Sequence, residues 1–295
     1  MKKQYLYAEI SIFLWSTTAT ISKLLLVSLD SMQILLVSSL FATIFLLIVN
    51  LINGNIKQLK EYKLKDYVQI AGIGILGTFL YNLFLYLGIA KLEASQAFVI
   101  NYLWPIMILI FACIILKEKM EPKKFIAIIL SFIGVIIVSS NGDLFHMQKD
   151  SLLGTFYCVI AAISYGLFSV LNKKKSYNKF VSMMLFYFVS FVISLIYILA
   201  LNKFFTLNIG QFAGLLWRGV FTSAIAFTTW ALALDNGDTA KISNLAYITP
   251  FLSLVWTGLI LKEAFNIYTI IGLVFIVGGV LIQLKDFKKS NIKGE

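Results

Sequence analysis

Polar side chains recur at helical spacing in an apolar stretch near the N-terminus. Glu9, Ser16, Thr20 and Lys23 share one helix face, because successive residues of an α-helix turn by about 100°. If the stretch crosses a bilayer, each charge near its centre costs about 3 kcal/mol in lipid, so we expect this face to meet a polar interior. Alternatively, Glu9 and Lys23 extend toward opposite ends of the helix, and the two hydroxyls bond carbonyls of their own helix.

A later apolar stretch carries a hydroxyl, an amide and a phenol at every fourth residue. These are Thr78, Asn82 and Tyr86, with Tyr81 beside them. Residues four apart lie on the same helix face, so the pattern predicts one polar and aromatic surface. Such a surface either lines a cavity or forms hydrogen bonds across helices.

Two of the three prolines, Pro105 and Pro250, stand inside apolar stretches. Proline lacks an N–H group and leaves a carbonyl one turn earlier without its helical partner. At mid-membrane such a carbonyl is useful where it lines a cavity, although a kink can also serve packing alone. The neighbouring polar and aromatic residues are Asn101, Trp104, Asn244 and Tyr247.

Arg218 heads a helix face that also carries Thr222 and Thr229, and Trp230 lies deeper in the same stretch. Because Arg218 is close to the outer end, anchoring at the outer leaflet and binding of a carboxylate both remain open. Glu118 and Glu263 each precede an apolar stretch; capping of the next helix is the first interpretation, and a gating salt bridge the second.

The sequence predicts no cofactor and no metal. Gly72, Gly74 and Gly77 spell G-x-G-x-x-G, but dinucleotide binding requires a strand-to-helix turn. These glycines lie in an apolar helix, where small residues let backbones approach closely. Cys113 and Cys158 show no metal or redox spacing, and no phosphate-binding loop is present.

The composition indicates an all-α integral membrane protein. Of the 295 residues, 60% are hydrophobic and 13% charged, whereas soluble domains carry about 25% charged residues. A span takes about 20 residues, and backbone groups in lipid must be satisfied within the helix. We predict ten transmembrane helices near 5–27, 31–52, 67–89, 94–116, 123–140, 152–171, 180–201, 211–234, 240–261 and 266–284.

The basic residues fix the predicted orientation. The net charge is +11, yet most lysines fall in alternate connections such as 57–65, 117–124, 173–179 and 285–293. By the positive-inside rule, both termini are therefore cytoplasmic. Arg218 is the only arginine, and nucleic-acid surfaces use several for forked contacts, so we predict no nucleic-acid partner.

The chain carries an internal repeat. Residues 95–138 align with residues 240–283 without a gap. The matched residues include Tyr102 with Tyr247, Pro105 with Pro250, and Lys117-Glu118 with Lys262-Glu263. We predict two five-helix repeats, 1–145 and 146–295. Because five is odd, the second repeat enters the membrane inverted, as in many secondary transporters, whose sites lie between the repeats.

These features resemble the EamA-type carriers of the drug/metabolite transporter superfamily. The resemblance rests on the duplicated layout, the paired proline and the Leu-x-Glu at 116–118 and 261–263. It covers essentially the whole chain and implies a bacterial inner-membrane efflux carrier with a cavity between helices 1, 3, 4, 6, 8 and 9. The family often has glycine where this chain has Lys117 and Lys262.

The run Asn101-Tyr102-Leu103-Trp104-Pro105 further resembles the aromatic amino-acid exporter branch of that family. The second repeat departs from it, because residues 246–250 contain neither Asn nor Trp.

We therefore predict a secondary transporter that exports small amphipathic metabolites, above all aromatic or large apolar amino acids. The expected ring contacts with the substrate come from Trp15, Tyr81, Tyr86, Trp104, Tyr165, Trp230 and Tyr247. Asn82, Asn101 and Asn244 would hold the polar head. The alternatives are another solute (a sugar, nucleoside or drug) or a membrane-embedded enzyme or lipid scramblase. The enzyme is disfavoured because no buried His or acid–base pair appears.

The expected partners are the small-molecule substrate and the bilayer, with no obligatory protein partner inferred. Proton-driven carriers use an intramembrane carboxylate or histidine, and Glu9 is the candidate here. Glu9 either carries the coupling proton, or the carrier is facilitative and solute follows its own gradient.

Overall fold

The computed structural model describes residues 3–117, 122–143, 148–175, 177–236, 245–264 and 266–284. Within these ranges the regular structure is helical, without a strand. The helices are α1 (Lys3–Ser16 and Thr18–Leu26), α2 (Ser31–Ile52), α3 (Leu64–Lys91), α4 (Ala94–Ile115), α5 (Pro122–Ser140), α6 (Lys149–Lys173), α7 (Lys179–Ala200), α8 (Ile209–Leu216, Trp217–Ile225 and Ala226–Asn236), α9 (Ala246–Ile248, Thr249–Trp256 and Thr257–Leu261) and α10 (Ile267–Leu284).

Five helices of the described ranges are long and apolar enough to cross a membrane. They are α2, α3, α4, α6 and α7. Shorter apolar helices occupy Phe125–Ser140, Thr249–Leu261 and Ile267–Gly279. The predicted all-helical class is confirmed for the described part of the chain, and the count of ten spans remains a prediction.

Side-chain caps explain several of the predicted helix starts. Asp30 accepts hydrogen bonds at 2.9 Å from the backbone nitrogens of Met32 and Gln33 at the start of α2. Asn178 and Asn208 do the same for α7 and α8. Because the first N–H groups of a helix have no internal acceptor, these residues set where each helix begins.

Helices α4 and α9 are both interrupted just before their proline. One helical piece ends at Asn101 and the next begins at Trp104, while α9 has a 3₁₀ turn before Thr249. Pro105 and Pro250 thus lie in the first turn of a new helical piece, where a missing N–H is tolerated. The prolines start second helices instead of kinking continuous ones.

Helices α3 and α8 each contain a wide turn with i→i+5 hydrogen bonds. These π-helical segments are Ile75–Leu80 and Trp217–Ile225. Such segments are rare and occur frequently at functional sites. Neither is visible in the apolar pattern of the sequence.

The helices pack in pairs around a common interior. Helix α5 packs on α10, α2 on α7, α3 and α4 on α6, and α1 on α8. A Cβ atom at Gly134 would lie 2.6 Å from the carbonyl oxygen of Gly272, so α5 and α10 meet backbone to backbone. A Cβ at Gly74 would lie 2.9 Å from Cα of Phe186, which confirms the packing role predicted for that glycine.

Candidate functional site

A cavity of about 600 Å³, counting the space open to solvent, lies among the helices. Its walls come from α1, α3, α4, α6, α8 and α9, with one residue from α7. The lining residues are Trp15, Thr18, Tyr81, Asn82, Phe98, Asn101, Tyr102, Trp104, Tyr165, Tyr187, Arg218, Thr222, Ser223, Phe227, Ala246 and Thr249. The cavity is therefore bounded by the interruptions of α4 and α9 and by the π-helical segment of α8.

Aromatic rings form much of the cavity wall. The ring centroids of Tyr81 and Tyr165 are 4.9 Å apart, and those of Trp104 and Tyr165 are 5.3 Å apart at an interplanar angle of 76°. Between α1 and α8, the ring centroids of Trp15 and Phe227 are 5.2 Å apart at an interplanar angle of 70°. Such pairs stabilise each other by about 0.5–1.5 kcal/mol beyond buried area, so the rings are held in place before any solute enters.

Arg218 is the charged member of the lining and is only 3% exposed. Its Nη2 donates to the hydroxyl of Tyr86 at 2.7 Å and to Oδ1 of Asn82 at 3.0 Å. Its Nη1 donates to Oγ1 of Thr222 at 2.5 Å, and its Nε lies 3.2 Å from the Tyr86 hydroxyl. Asn82 is oriented in turn by its own donation to the carbonyl of Thr78 at 2.8 Å. Neutral groups thus hold the guanidinium from three sides.

The π-helical segment explains why α8 presents so many residues to one cavity. Arg218 and Phe227 both line it, although an α-helix of 3.6 residues per turn would place them about 180° apart. An i→i+5 segment holds more residues in each turn, which brings Ser223 and Phe227 round to the side of Arg218.

Two buried acceptors at the cavity have no hydrogen-bond partner in the described part of the chain. They are Oδ1 of Asn101 and Oγ1 of Thr249, on residues that are 2% and 3% exposed. They stand at the interruptions of α4 and α9. The amide nitrogen of Asn101 donates to the hydroxyl of Tyr81 at 3.3 Å, which leaves the amide oxygen free for a ligand.

The structure brings six of the residues selected from the sequence to the cavity wall. These are Trp15, Tyr81, Asn82, Asn101, Trp104 and Tyr165. Tyr86 and Trp230 stand behind the wall: Tyr86 bonds Arg218, and Trp230 contacts Trp15 with ring centroids 5.3 Å apart and the rings tilted by 53°. Pro105 and Pro250 are buried beside the two interruptions.

Other residues that the sequence suggested for the cavity form hydrogen bonds within the helix packing and do not line it. Ser16 donates to the carbonyl of Phe13 and accepts from the indole of Trp256 at 2.9 Å. Thr78 bonds the carbonyls of Gly74 and Phe186, which joins α3 to α7. Thr20 does not line the cavity and is buried without a hydroxyl partner among the described residues. Asn244 and the side chain of Tyr247 lie outside the described residues, so what was expected of them stays a prediction.

The two charged residues of the polar face predicted for α1, Glu9 and Lys23, lie in different environments. Glu9 is exposed on the surface of α1 and does not belong to the cavity lining. Lys23 donates at 2.7 Å to the carbonyl of Ile89 and also to that of Leu92, at the end of α3. The two charges therefore face different surroundings.

Glu263 caps a helix other than the one expected from its position. Its carboxylate accepts from the backbone nitrogens of Ala94 at 2.7 Å and Ser95 at 3.0 Å. It thus caps α4 in the other half of the chain, and Asn266 caps α10 instead. Glu118, its counterpart in the repeat, lies outside the described residues.

Several lining residues were not among the candidates from the sequence, notably Ser223, Phe227 and Tyr187. Ser223 and Phe227 lie in or just after the π-helical segment, which the 3.6-residue period does not reveal. For Arg218, where anchoring and carboxylate binding were both open, burial in the cavity wall excludes the surface anchor. Among the described residues there is no cluster of three His, Cys, Asp or Glu side chains suited to a metal.

Comparisons with known proteins agree with this architecture. The model of the EamA-like transporter family matches residues 2–140 and 152–284. An uncharacterized transporter of Clostridium kluyveri is 27% identical over 99% of this chain and 96% of its own length. One from Archaeoglobus fulgidus is 21% identical over 96% and 99%, and Bacillus subtilis YetK is 23% identical over 77% and 71%. One solved crystal structure has a TM-score of 0.71 at 18% identity and covers 99% of both chains.

Proposed function

The chain belongs to the EamA-like transporter family and is therefore a multi-pass membrane transporter, and we propose that it exports small amphipathic metabolites. The substrates that fit best are amino acids with aromatic or large apolar side chains. The observation that carries the proposal is the composition of the cavity: its wall combines the rings of Trp15, Tyr81, Trp104 and Tyr165 with the polar groups of Asn101 and Arg218. A solute with one apolar and one polar end satisfies both.

The proposed mechanism is alternating access between two inverted five-helix repeats, 1–145 and 146–295. Three observations support it. The family model matches the two halves separately. The pairing of α1 with α8 is the counterpart of α6 with α3 when the halves are exchanged. Helices α4 and α9 are also followed by residues with the same backbone conformation, since φ is 58° at Lys117 and 57° at Lys262.

We place the protein in the bacterial inner membrane with both termini in the cytoplasm. The support is the distribution of lysines, which gather in alternate connections. Export follows from the resemblance to the aromatic amino-acid exporter branch, carried by residues 101–105.

The test is efflux from proteoliposomes loaded with radiolabelled phenylalanine, tryptophan or leucine, compared with protein-free vesicles. We expect efflux of these amino acids in preference to labelled glucose and uridine. Faster loss of the sugar or the nucleoside would favour the other solute classes. Loss of a labelled lipid from one leaflet without amino-acid efflux would identify a scramblase.

Trp104→Ala and Tyr81→Ala test whether the rings bind the substrate. Each is expected to reduce efflux of phenylalanine roughly 2- to 10-fold, because one ring contact contributes about 0.5–1.5 kcal/mol. Phe188→Ala is the control, since this ring is 46% exposed on α7 outside the cavity. Unchanged efflux in both cavity variants, at equal protein levels, would place the substrate elsewhere.

The same vesicles test whether transport is coupled to a proton gradient. We propose a facilitative carrier, and the exposure of Glu9 away from the cavity supports this choice. An imposed pH gradient should then leave efflux unchanged. A strong dependence on the gradient that Glu9→Gln abolishes would show that Glu9 carries the proton.

A further inference from the structure

We propose that Arg218 binds the carboxylate of the substrate and that Asn101 and Thr249 accept hydrogen bonds from its ammonium group. The cavity would thereby select zwitterionic aromatic amino acids over aromatic amines. This inference rests on the proposed function, because it assigns the polar end of the same substrate.

Arg218 is a buried cation without a counter-ion in the described part of the chain. The ion pairs found there are Lys91 with Asp150 and Lys203 with Asp30, both at the surface. All partners of its guanidinium are neutral: Tyr86, Asn82 and Thr222. Burying a charge is unfavourable unless an opposite charge compensates it. A site that maintains such a charge next to a cavity is suited to an anion supplied by the ligand.

The guanidinium keeps a donor available for that anion. Arginine has five N–H groups in a planar fork. The contacts to Tyr86, Asn82 and Thr222 involve Nε, both hydrogens of Nη2 and one hydrogen of Nη1. One Nη1 hydrogen remains, and the hydroxyl of Thr222 is itself able to reorient. The three neutral partners fix the plane of the fork, so little side-chain freedom is lost on binding.

The unpartnered acceptors define where a second polar group of the ligand would bind. Leaving a buried acceptor unsatisfied is costly, and the amide oxygen of Asn101 and the hydroxyl oxygen of Thr249 are both in this state. An ammonium group has three N–H donors, enough in number for both acceptors. Tyr81 holds the amide of Asn101 in place, since its hydroxyl accepts from the amide nitrogen.

The charge of Arg218 also explains what the cavity would exclude. An aromatic amine brings a positive charge toward an uncompensated guanidinium, and like charges repel strongly in a medium of low dielectric constant. An aromatic acid keeps the contact to Arg218 and loses only the contacts to Asn101 and Thr249. The expected order of affinity is therefore amino acid, then acid, then amine.

The first experiment uses the wild-type protein in detergent and isothermal titration calorimetry. The three probes are L-phenylalanine, 3-phenylpropanoate and phenethylamine, which share one ring and differ in charge. We expect phenethylamine to bind at least 10-fold more weakly than 3-phenylpropanoate. Equal or tighter binding of the amine would overturn the inference while leaving an aromatic-solute carrier intact. If none of the three probes binds, the proposed function fails together with the inference.

Arg218→Gln is expected to weaken phenylalanine binding roughly 10- to 100-fold, as for loss of a charged hydrogen bond, and to abolish the preference for acid over amine. Arg218→Lys should keep that preference and lose part of the affinity, which makes it informative even if Arg218→Gln does not fold. Lys203→Gln is the control, because it removes an exposed lysine that is not part of the cavity lining. An unchanged acid-to-amine ratio in a folded Arg218→Gln protein would contradict the assignment.

Asn101→Leu tests the proposed ammonium contact independently of the carboxylate contact. It should reduce the affinity for phenylalanine several-fold and leave that for 3-phenylpropanoate nearly unchanged. An equal loss for both probes would place the ammonium group elsewhere.

Discussion

Among single residues, Lys117 and Lys262 stand out because each ends a helix with a left-handed backbone. In this region the Cβ atom approaches the carbonyl oxygen, at a cost of roughly 1–2 kcal/mol that glycine avoids. The frequent glycine of the family at these positions is therefore explained by the backbone angle. At Lys262 the turn also positions Glu263 against the N-terminus of α4.

Substitution of Lys262 tests this account. Lys262→Gly should keep or slightly raise the free energy of unfolding, whereas Lys262→Val should lower it by about 1–2 kcal/mol, since β-branched residues tolerate positive φ least. Thermal unfolding in detergent measures both. Lys57→Val is the control at an exposed position outside the left-handed region, and an equal loss there would refute the role of the backbone angle.

Arg218 shows how far residue-level prediction reaches. Its helix and the hydroxyl partner Thr222 follow from the sequence, because residues four apart share a face. The burial of Arg218 does not follow from the sequence, since its contacts with Asn82 and Tyr86 depend on how α3 and α8 pack. The same is true of Glu9, which shares a predicted face with Ser16 but is exposed.

Among the helices, the turn between α3 and α4 is held from both sides by charges. Lys23 bonds the last carbonyls of α3, and Glu263 bonds the first amides of α4. Each charge opposes the partial charge of a helix end. These two side chains come from α1 and from the end of α9, so the turn joins the two halves of the chain.

Glu93 lies in this turn, and its ionisation is linked to stability. Partial desolvation raises the pKa of Glu93 above the ordinary 4.5, and the carboxylate of Glu263 adds to this, while Lys23 opposes it. The folded protein thus binds the proton more readily than the unfolded chain, so stability falls as the pH rises through this window. Glu93→Gln should raise the midpoint of thermal unfolding at pH 7, with a gain that shrinks toward pH 4.5.

The matched control is Glu61→Gln, an exposed carboxylate elsewhere in the chain. It should leave the midpoint unchanged between pH 4.5 and 7. A gain for Glu93→Gln that does not depend on pH would show that the charge of Glu93 is not responsible.

Helix positions were largely predictable, and helix interruptions were not. The bounds of α2 agree with the prediction of 31–52 because Asp30 caps its start. The breaks of α4 and α9 were expected only as kinks, since proline position does not tell whether the helix bends or restarts. The wide turns of α3 and α8 leave no trace in the hydrophobic pattern.

Across the whole molecule, the all-helical class and the membrane transporter family agree with what the composition and the repeat indicate. The physical reason is that lipid imposes one rule on every span: apolar side chains outside and satisfied backbone inside. The geometry of the cavity was less accessible, because it depends on how helices from both halves meet at their interruptions.

The predicted orientation is tested with a reporter that fluoresces only in the cytoplasm. Fusions after Lys65, after Lys175 and at the C-terminus should be bright, and a fusion after Lys149 should be dark. This follows from ten spans and the positive-inside rule. A dark C-terminal fusion at normal expression would refute the ten-span count and, with it, the inverted repeat.

The wide turn at Trp217–Ile225 has a consequence for the length of the chain. A π-helical turn accommodates one residue more than an α-helical turn, so deleting one residue there would let α8 continue as a regular helix. The residues beyond the deletion, Phe227 among them, would keep nearly their present direction, because the lost residue is the extra one that the wide turn absorbs. The wide turn therefore lets α8 carry one extra residue at the cavity wall without rotating the rest of the helix away from it.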